Sequence, residues 1–270
     1  MISQLTTRRS ERDALLAQIT AQLQQDPRIV AAWAHGSIGR GETDDFSDID
    51  LFVVVADAHL ETVMAERQAF AASLPGLLYA AEAPQNRPPG GAYLGTAYDG
   101  ADGPHQVDWY WQRQSAAAIP PRVRLLFDRV NLPPTETPLW WDYQPVPDET
   151  PEAQATRRVS LFWLMLLVTA KYAARTPNED QMGLWRFALV SRDDVREFLN
   201  LPPSVRWEDL PPHPAPADKL RILREGIAEM ETLMAQLEKR GLPMPWPIVP
   251  SARRFITFVE AMCHDKLPRE

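Results

Sequence analysis

The sequence predicts two domains, the first built of strands and helices together and the second of helices alone. Three observations carry this prediction. Short apolar runs bounded by Gly, Ser and Asp recur up to residue 130, helical periodicity takes over after residue 151, and the proline-rich stretch "NLPPTETPLWWDYQPVPDETP" stands between them. We therefore place a first domain at 1–135, a linker at 131–151 and a second domain at 151–270.

The elements follow in order. Residues 6–25, "TTRRSERDALLAQITAQLQQ", carry apolar side chains at helical spacing and stop before Asp26-Pro27. The period then changes, and "RIVAAWAH" (28–35) and "DIDLFVVVA" (48–56) read as buried strands. Gly36 to Ser47, between them, must hold a turn with room for a short helix. Residues 57–74 read as helix and 77–81 as a weak strand ahead of the breaker "EAPQNRPPGG". "AYLGTAY" (92–98) and "HQVDWYW" (105–111) flank the polar turn "DGADGP" and predict a hairpin, with "RVRLLFDRV" (122–130) as one more strand. Beyond the linker, helices are expected over 152–175, about 179–200, 217–240 and 252–264, separated by proline clusters at 202–216 and 243–250.

Composition narrows the function classes. At 270 residues and 45% hydrophobic content the chain has ample material for a core. Its longest apolar run, "LFWLMLLV", falls far short of the ~20 residues that span a bilayer. The N-terminal "MISQLTTRRSERD" lacks the apolar stretch of a signal peptide, so a soluble, cytoplasmic protein without a membrane partner is expected. Cys263 is the only cysteine and cannot close an internal disulfide. Charge is uneven: residues 1–150 sum to −9 and residues 151–270 to +1. A negative field repels nucleic acid phosphates and attracts cations, so a nucleic acid partner is not expected. The helical second domain shows no isolated apolar stripe that demands a dimer.

The chemistry concentrates in "AHGSIGRGETDDFSDIDLFVVV", residues 34–55. Side chains alternate across a strand, so Asp48 and Asp50 point to one face and Ile49 and Leu51 to the other. Two neighbouring carboxylates repel unless one takes up a proton or a divalent cation lies between them. Hard oxygen ligands favour Mg²⁺, which also binds phosphate oxygens. Upstream, Gly36 lets the backbone turn sharply and approach a ligand, and the Ser37 hydroxyl adds a donor to the backbone N–H groups of such a turn. A two-metal phosphoryl transfer site calls for a third acid. Asp108, isolated in the apolar "QVDWYW", is the candidate.

A strand, Gly-Ser, a loop, Asp-x-Asp opening a second strand, and a later strand with one Asp together resemble the nucleotidyltransferase superfamily of DNA polymerase beta. The match covers roughly residues 28–112 and rests on Gly36, Ser37, Asp48, Asp50 and Asp108. The resemblance implies an α+β fold: a nucleotidyltransferase-type mixed β-sheet flanked by helices, plus a C-terminal helical bundle domain. It also implies two Mg²⁺ ions, a nucleoside triphosphate co-substrate, and transfer of a nucleoside monophosphate with loss of pyrophosphate. Asp48 and Asp50 would hold both metals, while Asp108 would complete the metal site and serve as base. The size and the helix "RRVSLFWLMLLVTAKYAARTPNED" are similar to the lincosamide and aminoglycoside nucleotidyltransferases. ATP is the expected donor, and a small-molecule hydroxyl, possessed by an antibiotic of those classes, the expected acceptor.

Other residues admit two readings. Lys171 can reach the triphosphate, with Arg175 one turn further; a lysine with a packed stem and a solvated charge fits the same pattern. Arg40 either contacts the donor or is a solvated loop arginine. Asp44 and Asp45 are expected as solvent-facing loop charges, and His35 as a strand-end histidine with a backbone partner. His59, His105, His213 and His264 lack metal-ligand spacing. Trp109-Tyr110-Trp111 and Trp140-Trp141 stack on a ligand or pack in the core, and the prolines of "RWEDLPPH" argue against a helical site there. Two rival functions are a toxin-like nucleotidyltransferase acting on tRNA or protein, and a nucleotide-binding partner protein without catalysis.

Overall fold

The computed structural model describes residues 2–136, 148–175, 184–204 and 214–266. The chain divides into two compact units, an N-terminal one holding the sheet and a C-terminal helical one from Asp148 onward.

The first unit opens with α1 (Ile2–Gln25), which buries Leu15, Leu16, Ile19 and Leu23 at helical spacing and ends before Asp26-Pro27. Six strands follow: β1 (Ile29–Ala34), β2 (Ile49–Val55), β3 (Leu77–Glu82), β4 (Ala92–Tyr98), β5 (His105–Arg113) and β6 (Arg124–Asp128). They lie in the order β3-β4-β5-β2-β1-β6. β2 and β5 run parallel, and every other neighbouring pair is antiparallel. The sheet is therefore mixed, as expected. α2 (Gly36–Arg40) fills the turn between β1 and β2, and α3 (Leu60–Ala72) leads into β3.

Strand alternation sorts the two faces. Ile49, Leu51, Val53 and Val55 of β2, and Val107, Trp109 and Trp111 of β5, share one core with Leu15, Ile19 and Leu23 of α1 and with Leu60 and Val63 of α3. On the opposite face an aromatic row crosses four strands. Trp33 stacks on Phe52 (centroids 5.6 Å apart), Phe52 on Tyr110 (4.6 Å), and Tyr110 meets Tyr93 (5.2 Å).

The second unit contains α4 (Pro151–Arg175), α5 (Leu184–Phe198), α6 (Pro216–Lys239) and α7 (Ile248–Lys266). α4 packs against the other three helices and buries Val159, Phe162, Trp163, Leu166 and Ala170. Arg192 of α5, itself buried, pairs with Glu229 of α6 at 2.9 Å. α7 starts at Ile248, earlier than the proline cluster at 243–250 implied. Pro250 falls in its first turn, where the N–H that proline lacks would have no partner within the helix. Among the described residues no helix is long and apolar enough to cross a membrane.

Candidate active site

The loop entering β2 is built against α1. Arg12, 4% exposed, donates from Nη1 to the Asp44 carbonyl at 2.6 Å, and Arg9 pairs with Asp45 at 2.7 Å. The Asp44 carboxylate accepts from the Phe46 N–H at 2.9 Å and the Ser47 hydroxyl at 3.0 Å. Asp44 and Asp45 thus brace the approach to Asp48 instead of facing solvent. The sequence reading missed this because α1 supplies their partners from more than thirty residues upstream.

Asp50 lies on the face of β2 opposite the core, and the parallel register sets it directly beside Asp108 of β5. Asp48 precedes the strand by one residue. Burial, and then the charges of Asp108, Asp50 and Asp48 in that order, push the Tyr110 phenol well above its ordinary value, so all three acids act on one hydroxyl. Asp108 is itself buried, 8% exposed, and accepts hydrogen bonds on both oxygens. Tyr93 donates to Oδ1 at 2.8 Å, and the Gln106 amide to Oδ1 at 3.1 Å and Oδ2 at 3.0 Å. Burial foremost, and next the Asp108 charge, hold the Tyr93 phenol well above its usual range, so it remains a donor.

The Gly-Ser turn closes on the same acid. The His35 N–H donates to the Asp50 carbonyl at 2.8 Å, tying the end of β1 to β2. Gly36 has φ of +59°, and a β-carbon there would overlap Asp50 Oδ2 and lie 3.0 Å from its Cγ. Ser37 Oγ is buried without a hydrogen-bond partner among the described residues. An orphan buried hydroxyl beside a glycine cradle is the arrangement that an incoming oxyanion completes. The His35 ring meets Phe52 edge-on at 6.1 Å, and burial, helped by Arg40, lowers its pKa.

The donor set suits Mg²⁺ in a particular way. Among the described residues no three Asp, Glu, His or Cys side chains form a group able to hold a metal on their own. Mg²⁺ does not require one, since one or two carboxylates, phosphate oxygens and water complete its shell. The structure sets Asp50 and Asp108 at neighbouring positions of two parallel strands, with Asp48 at the strand mouth.

Gly36, Asp50 and Asp108 are brought together, with Ser37 on the adjoining turn. Arg40 is engaged by Glu42, its Nε 2.6 Å from Oε2, while Arg122 reaches the other oxygen of Glu42 at 3.0 Å. Lys171 belongs to α4 of the other unit, where its Nζ lies 5.4 Å from the Tyr172 ring centroid. Trp109 and Trp111 face the core, and only Tyr110 of that triplet joins the site face. Trp140-Trp141 and residues 206–213 lie outside the described residues. Tyr93 and Gln106 were missed. Gln106 was within reach of sequence reasoning, since two residues before Asp108 on a strand means the same face; Tyr93 needed the β4–β5 register.

The family model "Polymerase beta, Nucleotidyltransferase" matches residues 17–73, a segment that holds Gly36, Ser37, Arg40, Asp48 and Asp50 but neither Asp108 nor Lys171. No curated protein matches the chain. Among solved structures, the STING-associated CdnE c-di-GMP synthase from Capnocytophaga granulosa is similar over 98% of this chain and 82% of its own, with 11% identity and a TM-score of 0.30. That likeness is too distant to add to the argument. The family match falls on the strand–Gly-Ser–Asp-x-Asp segment of the mixed sheet, so this segment of the chain is similar to the polymerase beta nucleotidyltransferase family.

Proposed function

We propose that the chain moves a nucleoside monophosphate, with ATP as donor, onto a hydroxyl of a small molecule. An aminoglycoside or lincosamide antibiotic is the acceptor class proposed. The observation that carries the reading is the registered pair Asp50 and Asp108 at neighbouring positions of two parallel strands, against which the Gly36 turn closes. In this scheme the backbone at Gly36 and the Ser37 hydroxyl receive the triphosphate. Asp48, Asp50 and Asp108 would hold Mg²⁺, which when bound offsets the negative charge on the transferring phosphoryl group. Asp108 takes the proton of the acceptor hydroxyl. Arg40 is proposed to steady the triphosphate by exchanging Glu42 for phosphate. The charge of −9 over residues 1–150 supports a cationic acceptor over a polyanionic one.

The test is to incubate the protein with each nucleoside triphosphate, Mg²⁺ and a panel of aminoglycosides and lincosamides, reading pyrophosphate release and the mass of the acceptor. Asp50→Asn is expected to lower turnover by about 10²–10³-fold or more while leaving the fold intact, because the Asp50 contact to His35 is made by its backbone carbonyl. Full activity in Asp50→Asn would overturn the mechanism. Pyrophosphate release without an antibiotic adduct would overturn the acceptor alone.

A further inference from the structure

We propose that Tyr93 is a positioning residue for the transfer, its phenol fixing the Asp108 carboxylate beside Asp50. The inference rests on the reading of Asp108 as a metal ligand given above.

Four observations support it. Tyr93 OH lies 2.8 Å from Asp108 Oδ1, and both residues are buried, so the bond is made away from water, where geometry is held tightly. Gln106 anchors both oxygens of the same carboxylate, which leaves it little freedom to rotate. The phenol is clamped in turn, packed against Tyr110, which stacks on Phe52. Finally, β4 makes room for the contact. Gly95 stands opposite Asp108 in the register, and a β-carbon at Gly95 would lie 3.0 Å from the Tyr93 hydroxyl. The tyrosine lies across the one position of its strand that has no side chain, and so reaches an acid on the next strand.

Tyr98 supplies the comparison that separates positioning from mere stability. It lies on the same strand, faces the other side of the sheet, is equally buried, and donates its phenol to the Ala71 carbonyl at 3.0 Å. Tyr93→Phe and Tyr98→Phe therefore each delete one buried phenol hydrogen bond from β4, but only the first touches an acid of the site. Outer partners that orient a metal-binding side chain typically govern metal affinity by about 10–100-fold.

The experiment titrates Mn²⁺ into the full-length protein holding a non-hydrolysable ATP analogue, following bound Mn²⁺ by electron paramagnetic resonance, with thermal unfolding measured alongside. Tyr93→Phe should weaken Mn²⁺ binding by about 10–100-fold. Gly95→Ala, which keeps the phenol but displaces it, should shift affinity in the same direction by less, and serves if Tyr93→Phe does not fold. Tyr98→Phe should bind Mn²⁺ as the unaltered protein does. Equal Mn²⁺ affinity in Tyr93→Phe and Tyr98→Phe, or an unchanged affinity in Gly95→Ala, overturns the inference. Asp50→Asn separates the two levels: if it loses Mn²⁺ while Tyr93→Phe keeps it, only the role of Tyr93 falls. If Asp50→Asn binds Mn²⁺ normally, the reading of the site falls with it.

Discussion

Substitution of Gly36 by alanine tests whether the turn and the acid pair form one device. Two costs are expected. The first is conformational: Gly36 has φ of +59°, and a left-handed backbone costs a residue with a β-carbon about 1–2 kcal/mol. The second is steric. The new β-carbon would overlap Asp50 Oδ2 and stand 3.0 Å from Cγ, so the carboxylate must retreat by about 1 Å to restore ordinary contact. A misplacement of that size at a reacting centre costs on the order of 10²-fold in rate. Gly41→Ala isolates the first cost, because Gly41 has φ of +71° with nothing within 4 Å of an added β-carbon. Both variants should therefore lose about 1–2 kcal/mol of stability to backbone strain, Gly36→Ala somewhat more, in thermal or urea unfolding. Only Gly36→Ala should also lose turnover, by about 10²-fold in pyrophosphate release with Mg²⁺ and a nucleoside triphosphate. Turnover of Gly36→Ala within a few-fold of Gly41→Ala would refute the claim that the turn closes on a working carboxylate.

Two further outcomes follow from the packing of the same unit. Phe52→Ala removes a fully buried ring stacked between Trp33 and Tyr110, and should cost about 3–5 kcal/mol in denaturant unfolding; a cost below about 1 kcal/mol would mean that the aromatic row is not a packed layer. His105 is buried against Glu11 at 3.0 Å, and its pKa is pulled from the ordinary 6.5 down to about 4 by burial first and then by the Arg8 charge, with Glu11 opposing. A depressed pKa means that the unfolded chain takes the proton first, so this stability is whole above pH 6.5 and drains away as pH falls toward 4. His105→Gln should accordingly flatten the acid side of the stability profile over that window. A steeper decline in the variant than in the unaltered protein would contradict the assignment.

The extent to which sequence revealed this molecule depended on whether the deciding interaction was local. β2 was legible because "DIDLFVVV" alternates acid and apolar side chains before becoming wholly buried, and α4 because its apolar face repeats over many turns. The start of α7 was not, since Pro250 reads as a breaker in isolation and becomes acceptable only in a first turn. Within the site, the Gly-Ser turn and Asp-x-Asp carried their own spacing. The pairing of Asp50 with Asp108 is a matter of parallel register, which no local pattern encodes. The bracing of Asp44 by Arg12 and the hold of Tyr93 on Asp108 likewise join segments distant in sequence. Arg40 shows the reverse difficulty: its position in the loop suggested a free cation, while Glu42, two residues away, had already taken it.

The parallel join of β2 to β5 has a consequence for the life of the newly made chain. Between those strands the ribosome must thread α3 and the whole of β3 and β4, so a nascent chain that has finished β2 possesses one acid of the pair and no neighbour for it. Long-range closure of this kind comes late in folding. The growing polypeptide consequently cannot form the Asp50–Asp108 pair until β5 has been made, and under the proposed function its chemistry would wait on that strand.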